Sequence, residues 1–234
     1  KDKSKTFFRK MTFNDYPEIF QYDEGKIKQL SNTNPQQAEF NWGTVELINW
    51  ESYDGIPLEG LLYKPENFDS TKSYPLMVYF YELYSDRLHS HYIPKPTASI
   101  IYATEYASAG YVVFMPDIRY KEGHPANSAY DCIMSGTDKV LSLYSNIDST
   151  KMALQGQSWG GYQTAQLITM TNRYKAAMAG APVSNMFSAY GGMRWGSGLN
   201  RQFQYEKTQS RIGYTIWEKP ELYVENSPLF HLPN

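Results

Sequence analysis

The sequence predicts an α/β fold: a mostly parallel sheet with helices on both faces, preceded by a few antiparallel strands. Three observations carry the prediction. Near-continuous apolar runs of strand length alternate with segments of helical spacing from residue 74 onward. Shorter segments that alternate apolar and polar residues occupy the first forty residues. A serine framed by glycines, in "LQGQSWGGYQ" (154–163), sits where a strand pattern gives way to a helical one.

Taken in order, "KTFFRKMTF" and "EIFQYD-EG-KIKQLS" alternate around an Asp-Glu-Gly turn and read as short antiparallel strands. "SNTNPQQAEFNWG" is a turn-rich connector, and a domain boundary is placed near residue 42. "TVELINW" (44–50) and "IPLEGLLYKP" (56–65) flank "SYDG" as a hairpin. "YPLMVYFYE" (74–82) and "YVVFMPD" (111–117) are apolar enough for strands buried on both faces. Helical spacing runs over 97–110, ending at Gly110 as a C-cap, and over 127–146. "KMALQ" (151–155) is a strand, 162–171 a helix, and "KAAMAGAP" (175–182) a strand. Strands separated by helices of this length imply parallel pairing through crossovers.

Composition removes several function classes. A net charge of −2 with pI near 6.1 offers no electrostatic attraction for nucleic acid or anionic membrane. The basic cluster "KDKSK" at the start reads as a solvated terminus. No apolar run approaches the ~20 residues of a membrane span, and no signal-peptide pattern opens the chain. Cys132 is the sole cysteine, which excludes an intrachain disulfide and a thiolate metal cluster. His89, His91 and His124 lack companion ligands at metal spacing, and no Walker or dinucleotide glycine pattern occurs. Neither metal nor cofactor is expected. A periplasmic or secreted location is favoured over a cytoplasmic one.

Gly156-Gln157-Ser158-Trp159-Gly160 matches G-x-S-x-G, with strand before and helix after. In that setting the serine takes a strained backbone conformation, and side chains two residues to either side would collide inside the turn. Ser158 is therefore the candidate nucleophile. The N–H of Trp159, at the helix N-terminus, would face an oxyanion developing next to it.

The chain resembles the prolyl oligopeptidase family of serine peptidases, including its dipeptidyl peptidase and acylaminoacyl peptidase branches. The resemblance rests on "GQSWGGYQT", "AGAPVSN", "YVENSPLFHL" and "DGIPLEGLLYKPENFD", and covers nearly the whole chain. It implies an α/β-hydrolase catalytic domain over 42–234 and, over 1–41, the end of a β-propeller with its connector. It implies that Tyr81 supplies a phenolic donor to the oxyanion beside Trp159, although Glu82 and Leu83 follow where the family carries Gly or Ala. Trp159 and Val183 would wall the pocket for the residue before the scissile bond. Tyr190 stands out of register with the tyrosine pair of some dipeptidyl peptidases. Asp117 and Arg119 would support loop architecture. The implied partners are a peptide substrate and the propeller of the same protein, and a homodimer is a possible assembly.

The α/β-hydrolase order is serine, acid, histidine. No aspartate follows Ser158, and the one later histidine, His231, stands in "SPLFHLP", ahead of where the family places its acid. Glu206, Glu218, Glu221 and Glu225 read as solvated faces. The expectation is a C-terminally truncated catalytic domain lacking its last strands, inactive alone, whose full-length form hydrolyses short peptides through a Ser158 acyl-enzyme. An esterase or lipase on the same fold, and an interaction domain with a vestigial serine, stay open at this point.

Overall fold

A computed structural model of the protein describes residues 5–97 and 100–233. Strands β1 (Lys5–Lys10), β2 (Glu18–Asp23) and β3 (Lys26–Gln29) form an antiparallel three-stranded sheet. Its β2–β3 turn is the expected one, with Glu24 and Gly25 both at positive φ. Most of the "KDKSK" cluster lies outside the described residues. A 3₁₀ turn over Pro35–Glu39 leads to the second sheet, and Phe13 reaches into that sheet's core, its ring 5.1 Å from that of Tyr63.

The second sheet has six strands in the order β4-β5-β7-β6-β8-β9. These are β4 (Thr44–Glu51), β5 (Pro57–Lys64), β6 (Tyr74–Tyr79), β7 (Val112–Pro116), β8 (Ile147–Gln157) and β9 (Ala176–Gly180). The predicted β4–β5 hairpin forms, and β5 also runs antiparallel to β7. Parallel pairing is thus confined to β7-β6-β8-β9. The helices are α1 (Ala103–Ser108), α2 (Pro125–Leu143), α3 (Trp159–Leu167), α4 (Met186–Tyr190), α5 (Gln202–Glu206) and α6 (Pro220–Glu225).

One prediction is corrected in extent. The helix read over 97–110 begins only at Ala103, because Tyr102 is extended and Ile101 is drawn into the core beneath the sheet; Ala98 and Ser99 lie outside the described residues. Its end is as expected: Gly110 has φ +88, its N–H reaches Ala107 O, and Tyr111 N–H reaches Tyr106 O, a Schellman closure.

Two apolar layers sandwich the sheet. One packs Leu62, Val78, Phe114, Leu154 and Leu167 against Ile133 and Val140 of α2. The other gathers Leu61, Tyr63, Val113 and Met115 with Phe13. Each such side chain, fully buried, contributes roughly 1.5–3 kcal/mol. Cys132 is buried in the first layer, and burial pushes its thiol up to about 11, so it stays protonated and inert at neutral pH. No helix among the described residues is long and apolar enough to cross a membrane.

The segment "VENSPLF" packs back through Asn226, whose side chain is fully buried. Its Oδ1 accepts from Ala126 N–H at 3.0 Å, at the start of α2, and its Nδ2 donates to Gly123 O at 2.9 Å and Leu222 O at 2.8 Å. Asn226→Ala strands the buried Ala126 N–H and Gly123 O, while Leu222 O keeps the backbone N–H of residue 226, so it should destabilise by about 2–3 kcal/mol. Urea unfolding checks this through a lower midpoint at unchanged slope.

Candidate active site

In the parallel part of the sheet, β6 and β8 are direct neighbours, so their C-terminal ends deliver Tyr81 and Ser158 to one edge. Ser158 links β8 to α3 without a spacer and has φ 58 and ψ −108, a left-handed-side conformation that costs a non-glycine residue about 1–3 kcal/mol. Its N–H donates to Gly180 O at 2.8 Å, its carbonyl accepts from Tyr162 N–H at 2.9 Å, and the residue is exposed.

The flanking glycines are required by space. A Cβ on Gly156 would lie 2.2 Å from Gly160 O, one on Gly160 2.2 Å from Phe80 O, and one on Gly161 2.3 Å from Gly180 O. Each contact is with backbone, so nothing flexible can yield. The close approach of Gly160 to Phe80 is also what sets the α3 N-terminus against the segment bearing Tyr81.

Trp159 opens α3, where its N–H has no preceding intrahelical acceptor. Its indole is 2% exposed, stacks on Tyr162 with centroids 4.4 Å apart, and donates to Tyr120 Oη at 2.9 Å. The ring expected to wall an open pocket is therefore closed into an aromatic cluster with Met186, Tyr205, Ile212 and Tyr223. Val183 is half-buried against the same cluster. Tyr190 is inside it, edge-on to Tyr223 at 5.5 Å, with its hydroxyl on Glu206. Burial raises the phenols of Tyr120 and Tyr162 well above their ordinary range, which keeps both neutral as hydrogen-bonding supports.

Tyr81 is half-buried two residues beyond β6. Its carbonyl accepts from Gln163 Nε2 at 3.1 Å and Tyr120 Oη at 3.3 Å, and its phenolic oxygen accepts from Gln209 Nε2 at 2.8 Å. The loop that follows is held from two sides. Asp117, 3% exposed, accepts from Tyr84 N–H at 2.6 Å and from the N–H and hydroxyl of Ser85 at 3.0 and 2.5 Å. Arg119, expected to share this task, is exposed instead. Glu82, the departure from the family pattern, pairs with Arg211, whose guanidinium also lies 4.9 Å over the Tyr120 ring.

Other sequence expectations are relocated by their partners. His91 Nδ1 lies 3.0 Å from Phe13 O, while His124 Nδ1 is 2.7 Å from Glu225. His231 Nε2 is 2.9 Å from Glu225 O. Of the four glutamates read as solvated, Glu218 and Glu221 are exposed, Glu218 forming a reciprocal capping box with Thr215. The other two are half-buried and engaged: Glu206 takes the Tyr190 hydroxyl, and Glu225 takes His124 and Asn127. Among the described residues no group of three His, Cys, Asp or Glu side chains is placed to hold a metal ion. Gln163, Tyr120, Gln209 and Arg211 escape sequence reasoning; only Gln163, inside "GGYQ", stands near a motif.

The model of the prolyl oligopeptidase family matches residues 98–234, more than half of the chain. The chain belongs to the prolyl oligopeptidase family. It is 25% identical over 215 residues to an uncharacterized peptidase of Bacillus subtilis (strain 168), YuxL, covering 88% of this chain and 31% of that protein. It is 28% identical over 159 residues to dipeptidyl peptidase 8 of Homo sapiens, covering 59% and 17%. Among solved structures, Pyrococcus horikoshii acylaminoacyl peptidase superposes with a TM-score of 0.78 at 19% identity, over 98% of this chain and 36% of that one. Porphyromonas gingivalis dipeptidyl peptidase 4 gives 0.68 at 18% identity, over 97% and 32%. The fold is that of the family's α/β-hydrolase domain, and the chain spans about a third or less of the length of these relatives.

Proposed function

We propose that this chain is the nucleophile-bearing part of a serine peptidase that cleaves short peptides through a Ser158 acyl-enzyme. The observation that carries the reading is the strained, exposed Ser158 between β8 and α3. Its hydroxyl oxygen adds to the scissile carbonyl carbon while a base takes its proton. The negative oxygen that forms meets the Trp159 N–H and the Tyr81 O–H, each such donor being worth about 3 kcal/mol. The C–N bond then breaks, the leaving amine takes the proton, and water hydrolyses the acyl ester.

The acid and base are assigned to chain outside residues 1–234, since no aspartate follows Ser158 and His231 is committed to Glu225 O. The antiparallel sheet of β1–β3 is read as the end of a β-propeller that would cover the site, with the domain boundary near residue 42. Phe7 and Ile27 on that sheet are exposed, as a sheet with absent neighbours would leave them. The proposed partners are a peptide and that propeller.

The test compares the 234-residue chain with the full-length protein on aminoacyl-prolyl and alanyl chromogenic amides. The full-length protein should turn over at least about a thousandfold faster, the scale of losing triad members. Comparable turnover by the two would sink the assignment of the acid and base.

A further inference from the structure

Beyond the donors themselves, a line of side chains ends on the Tyr81 phenol. Arg194 Nη2 donates to Gln204 Oε1 at 3.1 Å, and Arg201 Nε reaches the same oxygen at 3.4 Å. Gln204 Nε2 donates to Gln209 Oε1 at 2.7 Å, and Gln209 Nε2 donates to Tyr81 Oη at 2.8 Å. The polarity of this line follows from chemistry. A guanidinium has donors only, so Gln204 must present its oxygen to the arginines and its amino group to Gln209. Gln209 must then present its own oxygen to Gln204 and its amino group to Tyr81. The two amides cannot flip independently.

The consequence falls on one proton. A phenol keeps its O–H near the ring plane, on one of two sides. With the Gln209 N–H occupying one side as donor, the Tyr81 proton is left to the other. Hydrogen bonds aligned head to tail also polarise one another, so a phenol that accepts at one side donates more strongly at the other. The relay stands on a fixed segment: Ser210 N–H donates to Gln204 O at 3.1 Å, and Arg211 Nη1 donates to Gln209 O at 2.7 Å while its guanidinium holds Glu82.

We propose that Gln204 and Gln209 are positioning residues which, oriented by Arg194 and Arg201, force the Tyr81 hydroxyl to act as donor toward the oxyanion. This role rests on Ser158 being the nucleophile and Tyr81 an oxyanion donor. Gln209→Glu replaces the donor by an acceptor, and the phenol turns its proton to the new carboxylate. Gln204→Glu does so at one remove. Its oxygens accept from the arginines and from Gln209 Nε2, which swings Gln209 Oε1 toward the phenol. A purely structural role predicts that Gln204→Glu, with a carboxylate between two arginines, is neutral or stabilising.

The experiment is the rate of fluorophosphonate labelling of Ser158 in the full-length protein, with melting temperature measured on every variant. Gln209→Glu should slow labelling about 100-fold, the scale of one oxyanion donor, and Gln204→Glu about tenfold without a drop in melting temperature. In a Tyr81→Phe background, Gln209→Glu should add less than about twofold, because the two act through the same proton. If Gln209→Glu does not fold, Gln204→Glu carries the test alone. A reactive wild type with either foldable glutamate variant within twofold of it, or equal losses with and without the phenol, overturns the relay alone. An unreactive wild type overturns the functional reading and the relay with it.

Discussion

Replacing Ser158 with glycine should raise the melting temperature of the protein while abolishing hydrolysis. The backbone at this position has φ 58 and ψ −108, which glycine adopts freely and serine does not. Relief of about 1–3 kcal/mol of strain outweighs the roughly 0.5–1 kcal/mol of extra unfolded-chain entropy that glycine brings. A net gain near 1 kcal/mol corresponds to about 2–4 °C in a domain of this size. In the full-length protein, hydrolysis should fall by about a millionfold, the scale at which a nucleophile and its partners fail as a unit. Calorimetry beside a chromogenic amide assay reads both. A glycine variant that loses activity without gaining stability would mean that the turn is held for packing. A gain in stability with activity retained would mean that Ser158 is not the nucleophile.

Gly160→Ala should be among the most damaging single methyl additions in the molecule. Its Cβ would sit 2.2 Å from Phe80 O and 3.6 Å from Tyr81 Cα. Both are main-chain atoms, so relief requires prising α3 from the end of β6. Overpacking of this kind costs at least about 3 kcal/mol where no side chain can move aside. The expected loss in melting temperature is therefore about 6–12 °C, at roughly 2–4 °C per kcal/mol. Any folded fraction should also label poorly with fluorophosphonate, because the displacement separates Tyr81 from the Trp159 N–H. Gly191→Ala is the control: nothing lies within 4 Å of its Cβ, and its φ of −77 suits alanine. Wild-type stability in Gly160→Ala would remove the steric account of the G-x-S-x-G pattern.

The parts of the fold legible in the sequence are those whose signal is local. Val112–Pro116 is buried at every position, and "YVVFMPD" says so directly. The same holds for Gly156, whose methyl would strike Gly160 four residues on, whereas Gly160 and Gly161 are needed against Phe80 and Gly180, which the motif does not show. The beginning of α1 is misplaced by periodicity because Ile101 looks like one more residue on a helical face, whereas its burial under the sheet keeps the chain extended there. The antiparallel β5–β7 pairing is hidden because an apolar run is silent about direction.

The candidate site divides along the same line. Ser158, Trp159 and Tyr81 are found from motif and resemblance, yet the groups that hold them are not. Gln204, Gln209 and Arg211 belong to a stretch rich in glutamine and charge, which on its own reads as solvated surface. Only the return of that stretch across the sheet edge joins Gln209 to Tyr81, 2.8 Å apart in space and far apart in sequence. Glu82 looks like a disruption for the same reason, since its cation, Arg211, is invisible until the chain folds back.

The adjacency of β6 and β8 carries a last consequence for how such a protein tolerates change. The hydroxyl-bearing turn and the phenol are registered by a ladder, Val78 beside Leu154 and Tyr79 beside Gln155, and not by the contour of chain between them. The long excursion between β6 and β7, of which residues 80–97 and 100–111 are described, lies outside that ladder. Residues added to or removed from the excursion would alter what surrounds Ser158 and Tyr81 while leaving the spacing between the strands that carry them intact. Surroundings and candidate site are thus free to diverge at separate rates within one scaffold.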